Sequence, residues 1–408
     1  MNREVLAAAL LLAACARPEA IVPISPVSRA PDIRVGVVLG VSGLTLGGGS
    51  GLGLVSNDAG WVGEIPDGQT ARVNNDLGQL RISLGETGLT PGVAVTVAPT
   101  RSDGLVRLNG RDYRGTFLIS ASTRGVTAIN IVDLEQYLVG VVSVEMGVRT
   151  EAEIAALEAQ AIVSRTVALQ RAGQWRTRGY DLLATVADQV YAGSDRESEL
   201  ASRAVTATRG QVITWQGRPI DAFFHSTCGG RTADGTEVFA AADRPYLRSV
   251  SDLDPNGRAW CAISPRYRWR ETWTGDALSQ ALRQTLPLAG GTSALAEALR
   301  DIRVLDRTPT GRVARVELVG ASGSLTVTGP AARALLRPPD GGLLRSADFT
   351  IQITRSGERI VQVTADGAGA GHGVGFCQWG GIGRARAGFS YGAILSAYFP
   401  GTELTRTY

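Results

Sequence analysis

Glu145 is the residue in this sequence whose surroundings best suit it to chemistry. It lies in the segment VVSVEMG and is the only charged side chain between Gln136 and Val148. A carboxyl group held among valine and methionine side chains loses hydration, which disfavours its charged form and raises its pKa. A carboxyl group that keeps its proton near neutral pH can serve as a general acid. The alternative is that Glu145 merely ends a helix and faces water.

Two predicted helices flank this segment and must position it. Asp133 is a suitable N-cap for the first helix, whose apolar residues repeat at helical spacing as far as Val141. The second helix begins at a capping box, formed by Thr150 and by Glu153 three residues later. Its apolar residues continue the helical spacing towards Arg171. We therefore expect Glu145 to lie in the connection between the two helices.

The run EMGVRTEAEIAALEAQAIVSRTVAL, which begins at Glu145, resembles the signature of the stage II sporulation protein D and amidase-enhancer family. In that family a Glu-Met-Pro turn precedes a helix with an A-Q-A-x-x-x-R-T run, and here Gly147 replaces the proline. Later segments match in order, so the resemblance covers residues 33–408. It implies a lytic transglycosylase that acts on peptidoglycan glycan strands, with Glu145 in the position of the catalytic acid.

Further residues match segments that lie near the family's active site, and the resemblance predicts that they contact the glycan. A tyrosine ring can lie against a sugar face, and a glutamine can hydrogen-bond sugar hydroxyls. For several of them a purely structural role is the alternative. These residues are Gln160, Arg165, Gln189, Tyr191, His225, Ser226, His372 and Gln378.

The sequence offers a single candidate acid in the motif region. Glu151, Glu153 and Glu158 are expected to complement the helix dipole or to be exposed. Hydrolytic glycosidases usually need two carboxylates. A lytic transglycosylase needs only one, because the muramyl C6 hydroxyl can close on C1 to form a 1,6-anhydro ring. The resemblance thus implies cleavage between MurNAc and GlcNAc, and the single candidate acid is compatible with it; no cofactor is required. The alternative is a non-catalytic glycan-binding domain that enhances a cell-wall amidase, which is then a partner.

Three cysteines, Cys228, Cys261 and Cys377, follow the N-terminal region. We predict a disulfide between Cys228 and Cys261, suited to an oxidising compartment, and a buried free thiol at Cys377. The alternative is a structural zinc site made by these cysteines and His225, although the paired short spacings of zinc motifs are absent. Some members of the family are known to hold zinc. A further alternative is a cysteine nucleophile with His372 as its base, although glycine-rich spacing by itself does not fix such a pair.

The first 15 residues, MNREVLAAALLLAAC, resemble a lipoprotein signal peptide that ends at a lipidated Cys15. A plain secretory signal or a short membrane anchor is the alternative. Residues 16–31 are rich in proline and predict a tether. Because Ala16 and Arg17 follow the cysteine, we expect the protein at the periplasmic face of the outer membrane, if one is present. The lipid anchor is then its only predicted association with a membrane.

The 408 residues are 44% hydrophobic and 19% charged, which is typical of a soluble globular protein, and the net charge of +3 predicts no nucleic-acid partner. Short apolar runs between turn residues predict antiparallel strands, and we interpret the tract GLTLGGGSGLG as flexible. The predicted fold class is α+β, divided into a β-rich part, a helical catalytic core with antiparallel strands, an inserted accessory α/β subdomain and a C-terminal part that closes the core. Their predicted ranges are 32–130, 131–266, 267–360 and 361–408.

Overall fold

The computed structural model of the chain describes residues 29–56, 58–239, 242–321 and 323–408. The predicted signal peptide, its Cys15 and the tether as far as residue 28 lie outside these residues. Within the part that the structure describes, no helix is both long enough and apolar enough to cross a membrane.

The N-terminal part of the chain forms strands. They are β1 (Asp32–Val41), β2 (Gly43–Gly47), β3 (Leu52–Ser56), β4 (Gly60–Ile65), β5 (Thr70–Asp76), β6 (Gln79–Leu84), β7 (Thr87–Gly92), β8 (Ala94–Pro99), β9 (Val106–Leu108), β10 (Arg111–Tyr113), β11 (Thr116–Ser122) and β12 (Gly125–Asp133).

The central part of the chain combines helices with short strands. Its elements are α1 (Leu134–Met146), α2 (Ile154–Arg171), β13 (Leu182–Leu183), α3 (Glu199–Ala207), β14 (Gln211–Trp215), β15 (Arg218–Pro219), β16 (Phe224–His225) and α4 (Gly235–Val238).

The remaining elements belong to the accessory region and the C-terminal part. They are β17 (Arg268–Thr274), α5 (Gly275–Thr285), α6 (Ser293–Glu297), β18 (Leu299–Arg307), β19 (Val313–Gly320), β20 (Ser324–Thr328), α7 (Gly329–Leu335), β21 (Phe349–Ser356), β22 (Arg359–Ala368), β23 (Phe376–Cys377), α8 (Gln378–Arg386), α9 (Tyr391–Tyr398) and β24 (Glu403–Arg406).

The N-terminal strands form two sheets that are almost entirely antiparallel. One has the order β13-β1-β12-β11-β8-β3-β4, and the other has the order β10-β9-β2-β5-β6-β7. Along β8 the side chains of Val95 and Val97 are buried and alternate with less buried neighbours, as expected for strands with one face on a core. The predicted α+β class is confirmed.

The predicted side chains cap α1 and a short 3-10 turn, Glu151–Glu153, that leads directly into α2. The carboxylate of Asp133 accepts hydrogen bonds from the backbone N–H groups of Glu135 and Gln136, which have no partner within the helix. The carboxylate of Glu153 accepts from the backbone N–H of Thr150 at 2.9 Å. However, Glu153 is buried and forms an ion pair with Arg386 at 2.6 Å. The expectation that Glu153 is exposed, or only complements the helix dipole, is therefore wrong.

Two local predictions are also corrected. Helix α1 extends to Met146, so Glu145 lies in its last turn and not in a connection after the helix. The helix continues through the β-branched residues Val141 and Val142 because their side chains are buried in the core. The first half of the glycine-rich tract is strand β2, in which Leu44 and Leu46 are buried.

The hydrophobic residues of the chain form two cores. The first unites the N-terminal sheets, α1, α2 and α3 with the C-terminal helices α8 and α9. The second lies entirely between Trp269 and Ala365, where α5 and α7 pack against β17 and β18–β22. The range 267–360, predicted for the accessory subdomain, falls in the part of the chain that builds this second core. The last residues return to the first core, and β24 pairs with β14.

Candidate functional site

Glu145 is held at the C-terminal end of α1, where the helix stops at Gly147. Burial raises the pKa of the Glu145 carboxyl group, and hydrogen bonds from Val190 and Gln378 offset only part of that rise. The helix end therefore presents a carboxyl group that keeps its proton to higher pH than an exposed glutamate.

Each oxygen of Glu145 has a hydrogen-bond donor from a distant part of the chain. The backbone N–H of Val190 donates to Oε1 at 3.1 Å, and the side-chain amide of Gln378 donates to Oε2 at 3.3 Å. Gln378 also donates to Gln160 Oε1 at 3.3 Å, and Gln160 donates to Ser164 Oγ at 3.0 Å. This chain of polar groups fixes the plane of the carboxyl group, and its two donors stabilise the carboxylate that remains after proton transfer.

Glu145 lies on the wall of a cavity of about 830 Å³. One wall is aromatic, and within it the rings of Phe223 and Phe239 are stacked with centroids 4.5 Å apart. The cavity therefore offers both aromatic faces and polar groups, the usual composition of a small-molecule site. The predicted site residues on its lining are Glu145, His225, Ser226, His372 and Gln378.

The two histidines of the chain lie side by side in this wall, with ring centroids 5.5 Å apart. His372 Nδ1 accepts from the backbone N–H of Val374, so Nε2 carries the proton that it donates to the carbonyl of Phe224 at 2.7 Å. Burial lowers the pKa of His372 to about 4. His372 is therefore neutral with both nitrogens engaged, and this arrangement suits a fixed wall better than a base.

His225 is also held neutral. Burial lowers its pKa, and its Nδ1–H donates to the carbonyl of Val374 at 3.1 Å. The remaining acceptor, Nε2, is buried and has no hydrogen-bond partner among the described residues.

Four predicted glycan-binding residues lie behind the cavity and are not on its lining. Gln160 supports Gln378, as described above. Gln189 donates to Ser164 and weakly to Tyr137, and its neighbour Val190 supplies the N–H that reaches Glu145. The structure thus places these two glutamines where they can position the carboxyl group, out of reach of a ligand.

Tyr191 and Arg165 are part of the core. The hydroxyl group of Tyr191 donates to Asn130 Oδ1 at 3.1 Å, and its ring packs against Tyr137. Arg165 is fully buried and makes a bidentate ion pair with Glu135, with N–O distances of 2.8 and 2.7 Å. The predicted glycan contact of these two side chains does not agree with their positions, because packing and pairing occupy them inside the fold.

Comparison with known proteins places these features in a family. Residues 122–215 match the family described as stage II sporulation protein, and residues 261–375 match a domain of unknown function. Stage II sporulation protein D of Bacillus subtilis is 30% identical over 68% of this chain and 76% of its own length. The chain belongs to the stage II sporulation protein D family. The amidase enhancer of B. subtilis is 28% identical over 84% of this chain and 50% of its own length. An uncharacterised protein of Brachyspira hyodysenteriae is 28% identical over 73% of each chain.

Gly147 marks a departure of this chain from the usual sequence of the stage II sporulation protein D family. Its backbone has φ 65° and ψ −164°, a conformation that essentially only glycine adopts. Proline, which the family usually has here, is fixed near φ −65°. The backbone of the turn that follows Glu145 therefore differs from the one that a proline at this position would impose.

Sequence reasoning missed several charged groups on the lining of the cavity that holds Glu145. Three arginines on the cavity lining have no carboxylate within 4 Å among the described side chains. One of them, Arg149, lies over the ring of Trp379 at 4.9 Å. Their scattered positions in the sequence gave no signal, because only folding brings them to one surface. These arginines are Arg149, Arg266 and Arg333.

Two further carboxylates, Asp188 and Asp221, line the same cavity, although sequence reasoning found no second acid. Asp188 is paired with Arg171 at 2.5 Å and accepts from the backbone N–H of Leu183. Asp221 accepts from the side-chain amide of Gln170 at 2.9 Å. A hydrolytic reaction would have to recruit one of these two groups.

The cysteines differ from both sequence-based interpretations. Cys228, Cys261 and Cys377 are free and buried, and the Sγ atoms of Cys228 and Cys261 lie 3.5 Å apart without a bond between them. The predicted disulfide is therefore not formed in this structure. His225 is not part of the cysteine cluster. The fourth member of the cluster is Asp252, whose carboxylate lies within 4.8 Å of the three sulfur atoms.

Proposed function

We propose that this protein is a lytic transglycosylase that cleaves peptidoglycan glycan strands between MurNAc and GlcNAc. The observation that carries the proposal is the half-buried Glu145, whose pKa is raised by loss of hydration and whose side chain lines the cavity. Membership in the stage II sporulation protein D family, and the name of the amidase enhancer relative, support action on the cell wall.

In the proposed reaction Glu145 acts twice. Its carboxyl group first donates a proton to the glycosidic oxygen, so that the GlcNAc leaving group departs as an alcohol. The resulting carboxylate is stabilised by the N–H groups of Val190 and Gln378. It then takes the proton of the muramyl C6 hydroxyl, whose oxygen closes on C1 to form the 1,6-anhydro ring. No water enters the products, so one carboxyl group is sufficient.

The composition of the cavity supports a glycan ligand. Aromatic rings such as those of Phe239 and Trp379 suit the apolar faces of sugars, and arginines suit the carboxylates of muramyl substituents. Arg266 and Arg333 are the guanidinium groups that we assign to this role. Ser226 and Gln378 provide hydrogen-bonding groups on the same lining.

The proposed site of action is outside the cytoplasm. The N-terminal sequence predicts lipidation of Cys15 and a tether that follows it. Peptidoglycan is the proposed partner, and a cell-wall amidase is a second one, because a relative carries the name amidase enhancer. We propose the periplasmic face of the outer membrane as the location, if the cell has one.

A second candidate function is glycan binding that enhances a cell-wall amidase without catalysis. The observation that favours it is the same relative, together with a cavity whose aromatic and arginine side chains can bind glycan whether or not Glu145 transfers a proton. The two functions differ in whether glycosidic bonds are broken.

The test is incubation of the purified protein with glycan strands, both intact and amidase-treated, followed by mass spectrometry. Fragments that end in 1,6-anhydromuramic acid, lighter by one water than hydrolytic fragments, are the expected product. Glu145→Gln should abolish them and keep glycan binding. Glu158→Gln is the matched control, because burial also raises the pKa of Glu158 but its side chain is not on the cavity lining.

Other outcomes separate the remaining possibilities. Reducing-end sugars would indicate a hydrolase and point to Asp188 or Asp221 as the second carboxylate. Binding without any product from either substrate would contradict the transglycosylase proposal and favour the enhancer.

A further inference from the structure

One arginine of the accessory region, residues 267–360, is buried against the first core. Arg312 lies in the turn between β18 and β19, directly before Val313 of the second core, and is only 5% exposed. Its Nη2 donates to the carbonyl of Cys228 at 3.1 Å and to that of Arg231 at 2.8 Å. Both carbonyls belong to the loop after β16, which begins at Ser226 on the cavity lining. The accessory region therefore holds this loop directly.

Arg312 is buried without an ion pair. No carboxylate lies within 4 Å of its guanidinium group among the described side chains. Burial lowers the pKa of Arg312, and the more distant carboxylates of Asp348 and Glu237 offset only part of that change. A buried charge without an ionic partner adds little to stability. The contacts of this side chain are suited instead to fixing the positions of the segments that it joins.

The turn of Arg312 also holds helix α4. Arg312 Nη1 donates to Thr310 Oγ1 at 3.1 Å. The backbone N–H of Thr310 donates to Glu237 Oε1 at 3.2 Å, and its hydroxyl group donates to Oε2 of the same carboxylate. Glu237 lies in α4, and the next two residues, Val238 and Phe239, are on the cavity lining. The turn is thereby connected to the aromatic part of the cavity.

A third segment contacts the guanidinium group at Gly373. A Cβ atom at this position would lie 2.9 Å from Nε and Nη2 of Arg312, so the guanidinium group packs directly on the glycine backbone. The carbonyl of Gly373 accepts from the backbone N–H of Ala233 at 2.7 Å. Because Gly373 directly follows His372, which is on the cavity lining, Arg312 also limits the movement of this histidine.

The accessory region holds the same segment from a second side. Arg333 Nε donates to the carbonyl of Leu344 at 2.8 Å, and its Nη2 donates to the carbonyl of Arg345 at 3.1 Å. The carbonyl of Arg345 also accepts from the backbone N–H of Gly371 at 2.8 Å. Gly371 and Arg333 are both on the cavity lining. The segment around His372 is therefore fixed between two parts of the accessory region.

We propose that the accessory region positions the glycan-binding wall of the cavity, formed by Ser226, Phe239 and His372, and that Arg312 is the positioning residue. This role rests on the proposed function, because glycan is taken as the ligand of the wall. It extends to residues 261–375, the range that matches a domain of unknown function. Arginine suits the role because its planar group carries five N–H donors in a fixed arrangement, so that one side chain can join several segments.

The test compares variants of Arg312 with a matched control. Arg312→Met removes the charge and all five donors, and Arg312→Lys keeps only the charge. The control is Arg307→Met, in the last residue of β18. The guanidinium group of Arg307 also donates to two carbonyls, those of Gly311 and Phe349, at 2.8 Å each. Both of these acceptors lie inside the accessory region, so the control does not release the wall.

The expected change is in substrate binding. For the release of 1,6-anhydromuramic ends from glycan strands, Arg312→Met should raise KM about 10-fold, the equivalent of about one lost hydrogen bond to the ligand, with kcat nearly unchanged. Arg312→Lys should recover little of this loss, and Arg307→Met should have the KM of the parent. A purely structural role of Arg312 predicts a smaller folded fraction, which lowers the apparent kcat and leaves KM unchanged.

Direct binding of glycan strands is measured with the same substitutions in protein that carries Glu145→Gln, so that cleavage does not interfere. The dissociation constant should rise by the same factor as KM. If Arg312→Met does not fold, Thr310→Val replaces it. That substitution removes only the hydroxyl group between Arg312 and Glu237, so KM and the dissociation constant should rise in the same direction by a smaller factor.

The outcomes separate this role from the proposed function. Cleavage by the parent, with KM and glycan binding unchanged in folded Arg312→Met or in its replacement Thr310→Val, would overturn the positioning role alone. An equal rise of KM in Arg307→Met would also overturn it. A parent that binds glycan without cleaving it would overturn the transglycosylase alone, and weaker binding by Arg312→Met would still support the positioning role. A parent that neither binds nor cleaves glycan would overturn both.

Discussion

The side-chain amide of Gln378 lies 3.3 Å from Oε2 of Glu145, although the two residues are 233 positions apart in the chain. Through this contact the start of α8 controls the orientation and protonation of the carboxyl group at the end of α1. The same amide also reaches Gln160, so one side chain links the two central helices with the C-terminal part.

Loss of this amide should change the pH dependence of cleavage. The hydrogen bond from Gln378 lowers the pKa of Glu145 against the effect of burial. In Gln378→Leu the pKa of Glu145 should therefore rise further, and the alkaline limb of the pH–rate profile should move to higher pH. The maximal rate should fall about 10-fold, as expected for one hydrogen bond. The control variant Gln170→Leu loses the hydrogen bond to Asp221. Its alkaline limb of the pH–rate profile should not move.

Replacement of Glu145 should lower the cleavage activity and raise the stability of the protein. Cleavage in Glu145→Gln should fall at least about 100-fold, the usual contribution of a general acid. Because burial raises the folded-state pKa of Glu145, the folded protein binds more protons than the unfolded chain above the unfolded pKa. Its ionisation therefore destabilises the fold as pH rises through this range. Urea unfolding should show the variant to be more stable than the parent near neutral pH, with the difference vanishing in acid. A difference that grows in acid would contradict this assignment.

Arg165 should be important for stability and not for glycan binding. Arg165→Ala leaves the buried Glu135 without its bidentate partner, which should lower the free energy of unfolding by about 3–5 kcal/mol. Addition of Glu135→Gln should recover part of this loss, because no charge is then buried alone. Hydrogen bonds with Arg165 hold the pKa of Glu135 below its usual value despite burial, so the stabilisation by this pair should disappear as pH falls through that pKa. Weaker glycan binding by folded Arg165→Ala protein, at unchanged structure, would show instead that Arg165 contacts the ligand.

Gly147 should be intolerant of any side chain. Its φ of 65° with ψ of −164° is strained for alanine, so Gly147→Ala should cost about 1–3 kcal/mol. A new Cβ atom would find only Arg149 Nη2 at 3.7 Å, so the cost comes from the backbone and not from a clash. The cleavage rate should fall as well, because only Met146 separates Glu145 from the displaced turn. Gly392→Ala is the control, since Gly392 lies in α9 with nothing within 4 Å and without a positive φ. Chemical denaturation of both variants checks the difference.

Membrane association should depend on Cys15. If the lipid is attached there, Cys15→Ser should move the protein from the membrane fraction to the soluble fraction after cell disruption. Continued membrane association of this variant would contradict lipidation as the anchor.

The sequence by itself determined the local elements and the family. Short apolar runs between turn residues indicated antiparallel strands, and Asp133 marked the start of α1, because these signals act over a few neighbouring residues. The apolar setting of Glu145 and the motif that follows it identified the candidate acid for the same reason. Only the tertiary structure decided which distant groups meet. The donors to Glu145, the pairing of Arg165 with Glu135, and Asp252 in place of His225 beside the cysteines depend on how the helices and loops pack. No local pattern encodes these contacts, because each joins segments that come together only when the hydrophobic cores form.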